Sequence, residues 1–336
     1  MRKIRSILGA LLLVLACSCG NTGVKEASRE LFAMDTLISV KAYGDNCEEA
    51  VNAAAEKISE LDGLFSVTDE HSEIYRLNTL GSGEVSEDTA NVISEALGIC
   101  DSTDGALDIT IYPVLLEWGF TADNTHVPED AAVAAALAKT GYENVKLSGN
   151  RVDMPEGYML DLGSCAKGYA GGEAAEAMKK RGITSALVNL GGNVQAIGAK
   201  PDGSDWSVGI ADPFSPNELL GVLKIRDKAV ITSGGYQRYF IGEDGKKYIH
   251  ILDPKTGRPA ESGIASVTVI GDNGTECDAL STALFVMGKE KAVTYRREHG
   301  GFEMVLVTDD GTICVTEGIA DSFRNDSGLP VETIYE

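Results

Sequence analysis

Two hydrophobic rhythms share this chain, and their order limits what it can fold into. Between Cys47 and Lys139 apolar residues recur at helical spacing, whereas from Tyr142 onward short apolar segments are broken by Gly, Asn and Asp. The spacing predicts a strand over Leu31–Tyr43, then an amphipathic helix over Cys47–Leu64 with Val51, Ala54, Ala55, Ile58 and Leu61 on its apolar face. Further helices fit Glu87–Asp101 and Glu129–Lys139, the second begun by Pro128. Short strands are expected at 143–148, 151–154 and 158–161, followed by a helix over Ala166–Arg181 ended at Gly182, and a strand over Ser185–Leu190. Strands continue to about residue 270, helices fit Asp278–Met287 and Lys289–Glu298, and strands return around 303–308 and 312–316. No repeat, low-complexity tract or long linker interrupts residues 31–330. The expectation is one integrated α+β domain of two lobes, with mixed sheets and flanking helices.

Charge removes one class of partner. Fifty-one acidic against 29 basic residues leave a net charge of −22, and nucleic-acid binding needs clustered Lys and Arg that this chain lacks. The first 19 residues read as an export signal: Arg2, Lys3 and Arg5 precede the apolar run Ile7–Ala16. That run is too short to span a bilayer, which takes about 20 apolar residues. Val14-Leu15-Ala16-Cys17 is similar to a bacterial lipobox, so Cys17, rather than Cys19, is the expected lipid-bearing residue. Residues 20–30 then form a polar tether, and the protein is expected outside the cytoplasm, held to the membrane by lipid on its periplasmic side. A cleaved, soluble secretory protein is the alternative. The remaining cysteines (Cys47, Cys100, Cys165, Cys277, Cys314) are odd in number and scattered, which argues for small buried side chains over a disulfide framework.

Four constellations carry chemistry. In Leu160-Asp161-Leu162-Gly163-Ser164-Cys165-Ala166-Lys167-Gly168-Tyr169 a strand enters a tight turn and a helix begins near Ala166. Free N–H groups at such a start favour phosphate and Lys167 adds a charge; a plain strand–turn–helix with a solvated lysine is the alternative. Asn189-Leu190-Gly191-Gly192-Asn193 either lets a ligand approach bare backbone or simply turns a hairpin. Lys247–Pro259 places Tyr248, His250 and Leu252 on one strand face by period two, ahead of the turn Asp253-Pro254-Lys255-Thr256-Gly257. His250 is there a candidate general base, or a satisfied core histidine. In Asp278-Ala279-Leu280-Ser281-Thr282, Asp278 and Thr282 stack on one helix face. They are hard oxygen ligands suited to Mg²⁺, or else a helix N-cap and a back-bonded threonine.

In this order the constellations resemble the bacterial flavin transferase family, once labelled thiamine-biosynthesis lipoproteins, which attach FMN from FAD to a protein threonine. The resemblance spans roughly residues 31–320 and rests on DLGSCAKGYA, NLGGN, SGGYQRYF (Ser233–Phe240), HILDPKTGRP and DALSTAL. Ala33-Met34-Asp35-Thr36, Gly105-Ala106-Leu107-Asp108-Ile109-Thr110 and Trp118-Gly119-Phe120 look like further family signatures. The resemblance implies that Met34, Ala106, Leu107, Asp108, Asp161, Lys167 and Leu252 contact FAD. It implies that Ser164 (by its carbonyl), Asp278 and Thr282 hold Mg²⁺ with Ser281 close by, and that His250 assists catalysis between the two lobes. Thr68 stands where the family often has an aromatic residue, and Ser164-Cys165 replaces a more usual small-residue-plus-Ile pair. The implied partner is a threonine-bearing subunit of a membrane electron-transport complex. Two rival readings remain: an FAD pyrophosphatase, which would use the same residues to release FMN and AMP, and a lipoprotein that stores FAD without turning it over, against which Asp278, Thr282 and His250 argue because storage needs no metal site.

Overall fold

The computed structural model describes residues 23–121 and 124–335, so the signal segment with Cys17 and Cys19 lies outside the described residues. Among the described residues the main sheet has nine strands. They are β1 (Glu26–Ala33), β2 (Thr36–Tyr43), β3 (Ser185–Leu190), β4 (Asn193–Ile197), β5 (Ala229–Gly234), β6 (Ile264–Gly271), β7 (Glu303–Thr308), β8 (Ile313–Thr316) and β9 (Val331–Ile334). The strands lie side by side in chain order, each antiparallel to the next except the parallel pair β8 and β9. A meander of neighbours is thus interrupted by long excursions, and those excursions build the rest of the molecule. Between β2 and β3 run α1 (Cys47–Phe65), α2 (Glu73–Leu80), α3 (Glu87–Ser102), α4 (Tyr112–Trp118), α5 (Asp130–Leu137) and α6 (Ala166–Lys179). Between β6 and β7 run α7 (Gly274–Met287) and α8 (Lys289–His299).

Both faces of the sheet's central strands are covered, so β4, β6 and β8 are buried along nearly their whole length, whereas β2 near the edge keeps an alternating pattern. On one face Ile38, Val40, Ala42 and Val188 pack with Ile58, Leu61, Ile93 and Ala170 of the helices. Further along that face Ile231, Val267 and Val269 meet Leu280, Leu284 and Phe285 of α7. On the other face Leu187, Val230, Ile270 and Val305 pack against Trp206, Val208, Leu220 and Leu223 of a small three-stranded sheet. The five cysteines of the described residues are free and buried. No helix of these residues is long and apolar enough to cross a membrane.

Several expected boundaries move, each for a local reason. The single strand expected over Leu31–Tyr43 is a hairpin: β1 starts at Glu26, inside the stretch read as a tether, and turns at Met34-Asp35. Both turn residues have positive φ (51° and 58°) without being glycine, so the usual sequence signal for a two-residue turn is missing. Residues 158–161 are not a sheet strand. Their backbone is held by the Asn78 side chain, which accepts from Leu160 N (2.6 Å) and donates to Leu160 O (2.8 Å), and by Ile109 O, which accepts from Asp161 N (2.8 Å). The expected strand 143–148 is a 3₁₀ turn, Tyr142–Asn144, followed by a short strand, Lys146–Ser148. Helix α7 opens at Gly274, ahead of the expected Asp278, because Asn273 caps it by accepting from Thr275 N (2.8 Å) and Glu276 N (3.2 Å). Helices α2 and α4, of eight and seven residues, went unforeseen.

Helices α6 and α7 cross without side chains between them. A Cβ built on Gly168 would lie 2.1 Å from Gly274 O and 2.7 Å from Asp278 Cβ, and one built on Gly274 would lie 2.5 Å from Gly168 O. By contrast, a Cβ at Gly172 on the same helix meets nothing within 4 Å. Urea denaturation is therefore expected to show Gly168→Ala destabilised by about 1–3 kcal/mol through overpacking. Gly172→Ala should gain about 0.5–1 kcal/mol from its helical backbone. Equal effects at the two positions would contradict the close crossing.

Candidate active site

The crossing aims backbone and side chain at one point. Gly168 N in the first turn of α6 donates to Asp278 Oδ2 (2.8 Å). Cys165 precedes the helix and its carbonyl takes the first intrahelical bond, from Tyr169 N (3.0 Å), so Gly168 N is one of the first-turn donors for which the helix itself offers no acceptor. The Ser164 carbonyl, just outside the helix, has no hydrogen-bond partner among the described residues. Asn193, at the end of the Gly191-Gly192 turn, donates its Nδ2 to Asp278 Oδ1 (3.1 Å). Three chain segments distant in sequence thus meet at one carboxylate. Asp278 is only 5 % exposed, and burial pushes its carboxyl up to about 6, against the opposing influence of Lys167, the Gly168 N–H and Asn193. The reading of Asp278 as an N-cap is excluded, since Asn273 fills that role and Asp278 lies one turn further on.

Hydroxyls surround the same helix turn. Ser233 at the end of β5 meets Ser281 Oγ (2.7 Å) and Thr282 Oγ1 (3.2 Å). Ser281 is fully buried and also donates to Asp278 O (2.8 Å), so its hydroxyl is committed inside the protein. Thr282 is half-buried and keeps spare acceptor capacity.

His250 leaves the continuous strand that period two predicted. Lys247–Ile249 pairs with Tyr239–Ile241, while Leu252–Asp253 pairs with Arg258–Pro259, and His250 sits at the break between the two ribbons. Arg238 O accepts from both the backbone N (3.1 Å) and ring Nδ1 (3.1 Å) of His250. A carbonyl accepts only, so Nδ1 carries the proton and Nε2 presents a lone pair. The ring edge packs on Phe120, 6.5 Å between centroids. Burial, with help from the nearby charges of Arg238 and Lys167, lowers the imidazole to about 4. Lys167 therefore acts electrostatically on both Asp278 and His250. Burial likewise raises Asp161, and Arg238 opposes it.

The remaining sequence candidates stand at three other places. Met34 stands in the positive-φ hairpin turn, its N donating to Asp62 Oδ1 (2.9 Å). Thr36 just after it touches the glycine turn: a Cβ on Gly191 would lie 2.1 Å from Thr36 Oγ1. Ala106, Leu107 and Asp108 are buried, and the Asp108 carboxylate accepts from Thr110 N (2.8 Å), Thr110 Oγ1 (2.6 Å) and Tyr142 N (3.2 Å). Those bonds shape the loop, and burial still raises the carboxyl. Leu252 packs with Val114, Trp118, Phe120 and Ala136 in a small apolar cluster beneath the His250 ribbon. Sequence reasoning missed Ser233, Asn193, Asp62, Asn78 and Arg238 as individual residues. Ser233, Asn193 and Arg238 lay inside recognised motifs, but their partners are remote in the chain.

Among the described residues no three His, Cys, Asp or Glu side chains gather into a metal cage. What is present is one buried carboxylate, one accessible hydroxyl and one unpartnered carbonyl. That donor chemistry fits Mg²⁺, which accepts few protein oxygens and completes its shell with water and phosphate.

The family profile described as the ApbE family matches residues 34–306. The chain belongs to that family. It is 32% identical over 345 residues to the FAD:protein FMN transferase of Treponema pallidum, covering 94% of this chain and 95% of that protein. It is 35% identical over 321 residues to the FAD:protein FMN transferase of Vibrio cholerae, covering 93% and 96%. Among solved structures it is similar to the ApbE protein of Thermotoga maritima, with a TM-score of 0.83 and 35% identity over 90% of this chain and all of that one. The α+β fold is that of this ApbE structure.

The ring of His250 supplies a direct check on the electrostatics. Its protonation is depressed in the folded state, so between the ordinary imidazole range and about pH 4 the unfolded chain binds a proton that the folded one does not. Stability tied to this residue is therefore present above that window and is lost as pH falls through it. An NMR titration of the His250 ring signals is expected to show no inflection above about pH 5. An inflection near the usual imidazole value of about 6.5 would contradict the site's electrostatics.

Proposed function

We propose that this ApbE family member transfers the FMN moiety of FAD to a threonine hydroxyl of an acceptor protein, with release of AMP. The observation that carries the reading is the meeting of Gly168 N–H, Asn193 and Asp278, with Lys167 acting on both Asp278 and His250. The names of the relatives from Treponema pallidum and Vibrio cholerae support the same reaction.

In this reading FAD lies across the α6–α7 crossing. Two N–H groups of the first turn of α6 are already engaged, Ala166 N with Leu162 O and Gly168 N with Asp278. The attraction of that helix start for the diphosphate therefore falls mainly on the Lys167 ammonium. Met34, in its strained turn beside the Gly191-Gly192 loop, and the loop of Ala106, Leu107 and Asp108 supply contacts for the flavin end. Asp161 and Leu252 complete the binding surface, Leu252 by supporting the His250 ribbon from beneath.

Asp278, Thr282 and the Ser164 carbonyl would hold Mg²⁺, with Ser281 fixing the Thr282 turn from behind through Ser233. Bound there, the ion would offset the charge that builds on the diphosphate as it is cleaved. His250 Nε2, kept unprotonated at neutral pH, takes the proton of the threonine hydroxyl as its oxygen bonds to the FMN phosphorus. The bond from that phosphorus to the bridging oxygen breaks, and AMP leaves with the electron pair. We further propose, from the N-terminal sequence, that the protein is exported and anchored by lipid at Cys17. There it would face a flavin-carrying subunit of an electron-transport complex in the inner membrane.

Incubation with FAD, Mg²⁺ and a threonine-bearing acceptor, read by intact mass, is expected to add one FMN residue to the acceptor. Asp278→Ala should abolish transfer. His250→Ala should slow it by about 10²–10⁴-fold while FAD still binds. Free FMN and AMP with an unmodified acceptor would show hydrolysis instead, and unchanged FAD would show storage.

A further inference from the structure

The motif Ser233–Phe240 contributes Ser233 to the hydroxyl cluster, yet its cation is unaccounted for. Arg238 is exposed, and its guanidinium has no hydrogen-bond or ion-pair partner among the described residues. It is nonetheless tied into the site by its own backbone. Tyr239 stands opposite Ile249 in the antiparallel ribbon, and the next pair outward is Arg238 opposite His250, joined by His250 N donating to Arg238 O (3.1 Å). The charge of Arg238 reaches the imidazole, and the imidazole is oriented by the carbonyl of that same arginine. Its charge is felt by the Asp161 carboxylate, yet no carboxylate of the described residues reaches it as an ion pair.

We infer that Arg238 is a diphosphate-binding residue, gripping the non-bridging oxygens of the phosphorus that the acceptor attacks. This deepens the transfer reading proposed above and rests on it. The planar fork of a guanidinium matches two phosphate oxygens at once, which an ammonium does not. With Lys167 approaching from α6 and Arg238 from the ribbon, the diphosphate is held between two cations that come from separate segments. The attacked phosphorus is thereby placed beside Nε2 of His250, where the hydroxyl must lose its proton. As the threonine oxygen bonds to phosphorus and the bond to the AMP oxygen breaks, the negative charge grows on oxygens that Arg238 already contacts. Arg238 also keeps a positive charge next to the imidazole before substrate arrives, in agreement with the depressed protonation of His250.

The test uses the whole protein with ADP and riboflavin as probes, one carrying the diphosphate and the other only the isoalloxazine and ribityl chain. Calorimetry on Arg238→Gln is expected to show ADP binding weakened roughly 10- to 100-fold with riboflavin binding unchanged. Arg238→Lys should restore part of the ADP affinity but less of the turnover, since charge returns without the fork. With FAD, the Gln variant should show a raised KM together with a lowered kcat. Wild-type ADP affinity in Arg238→Gln would overturn the assignment, as would equal loss of ADP and riboflavin binding. A wild-type protein that transfers no FMN defeats the function proposed above, while the two-probe comparison still decides whether Arg238 binds phosphate.

Discussion

Everything at the site depends on two helices meeting at bare glycine. Because Gly168 and Gly274 carry no side chain, the start of α6 lies close enough to α7 for a main-chain N–H to reach the Asp278 carboxylate. The same contact gives a first-turn N–H, for which the helix has no acceptor, a partner inside the site. One steric fact therefore sets the orientation of the acid, beside a Ser164 carbonyl that lies just ahead of the helix. The sheet beneath makes the crossing possible, since β3 and β4 deliver Asn193 from one side while β5 delivers Ser233 from the other.

Charge is distributed against the grain of the sequence. The protein as a whole is strongly acidic, but the residues that converge are the carboxylates of Asp278 and Asp161, one neutral imidazole and the cations Lys167 and Arg238. Burial works against ionisation at both ends, raising Asp278 and lowering His250. Both groups sit in positions where a dianionic diphosphate with a divalent cation would restore electrical balance. An imidazole held neutral by its surroundings, its Nδ1–H fixed on a carbonyl, is a base awaiting a proton.

The long helices and most sheet strands were legible because their apolar periods are long enough to count. Ser185–Leu190 appears at its expected limits, and α1 and α3 differ from expectation by a single residue at the C-terminal end. The elements that escaped are held by contacts no period records. The turn at Met34 uses positive φ without glycine, and residues 158–161 stay extended on a side chain, Asn78, from another helix. At the site, Asp278, Thr282, Lys167 and His250 were legible as residue types in motifs. The hydrogen bonds that give them their geometry join positions far apart in the chain, such as Asn193 with Asp278 or Ser233 with Ser281. Spacing along a sequence carries no information about such pairs.

The central claim is that a divalent cation and the diphosphate of FAD meet at the carboxylate of Asp278. Crystals of the protein grown with FAD and Mn²⁺, the latter as an anomalous scatterer standing in for Mg²⁺, test this most directly. The account predicts one strong anomalous peak in coordinating contact with Asp278, Thr282 and the Ser164 carbonyl, bridged to the diphosphate. Well-defined FAD with its diphosphate elsewhere, and no peak at Asp278, would contradict it.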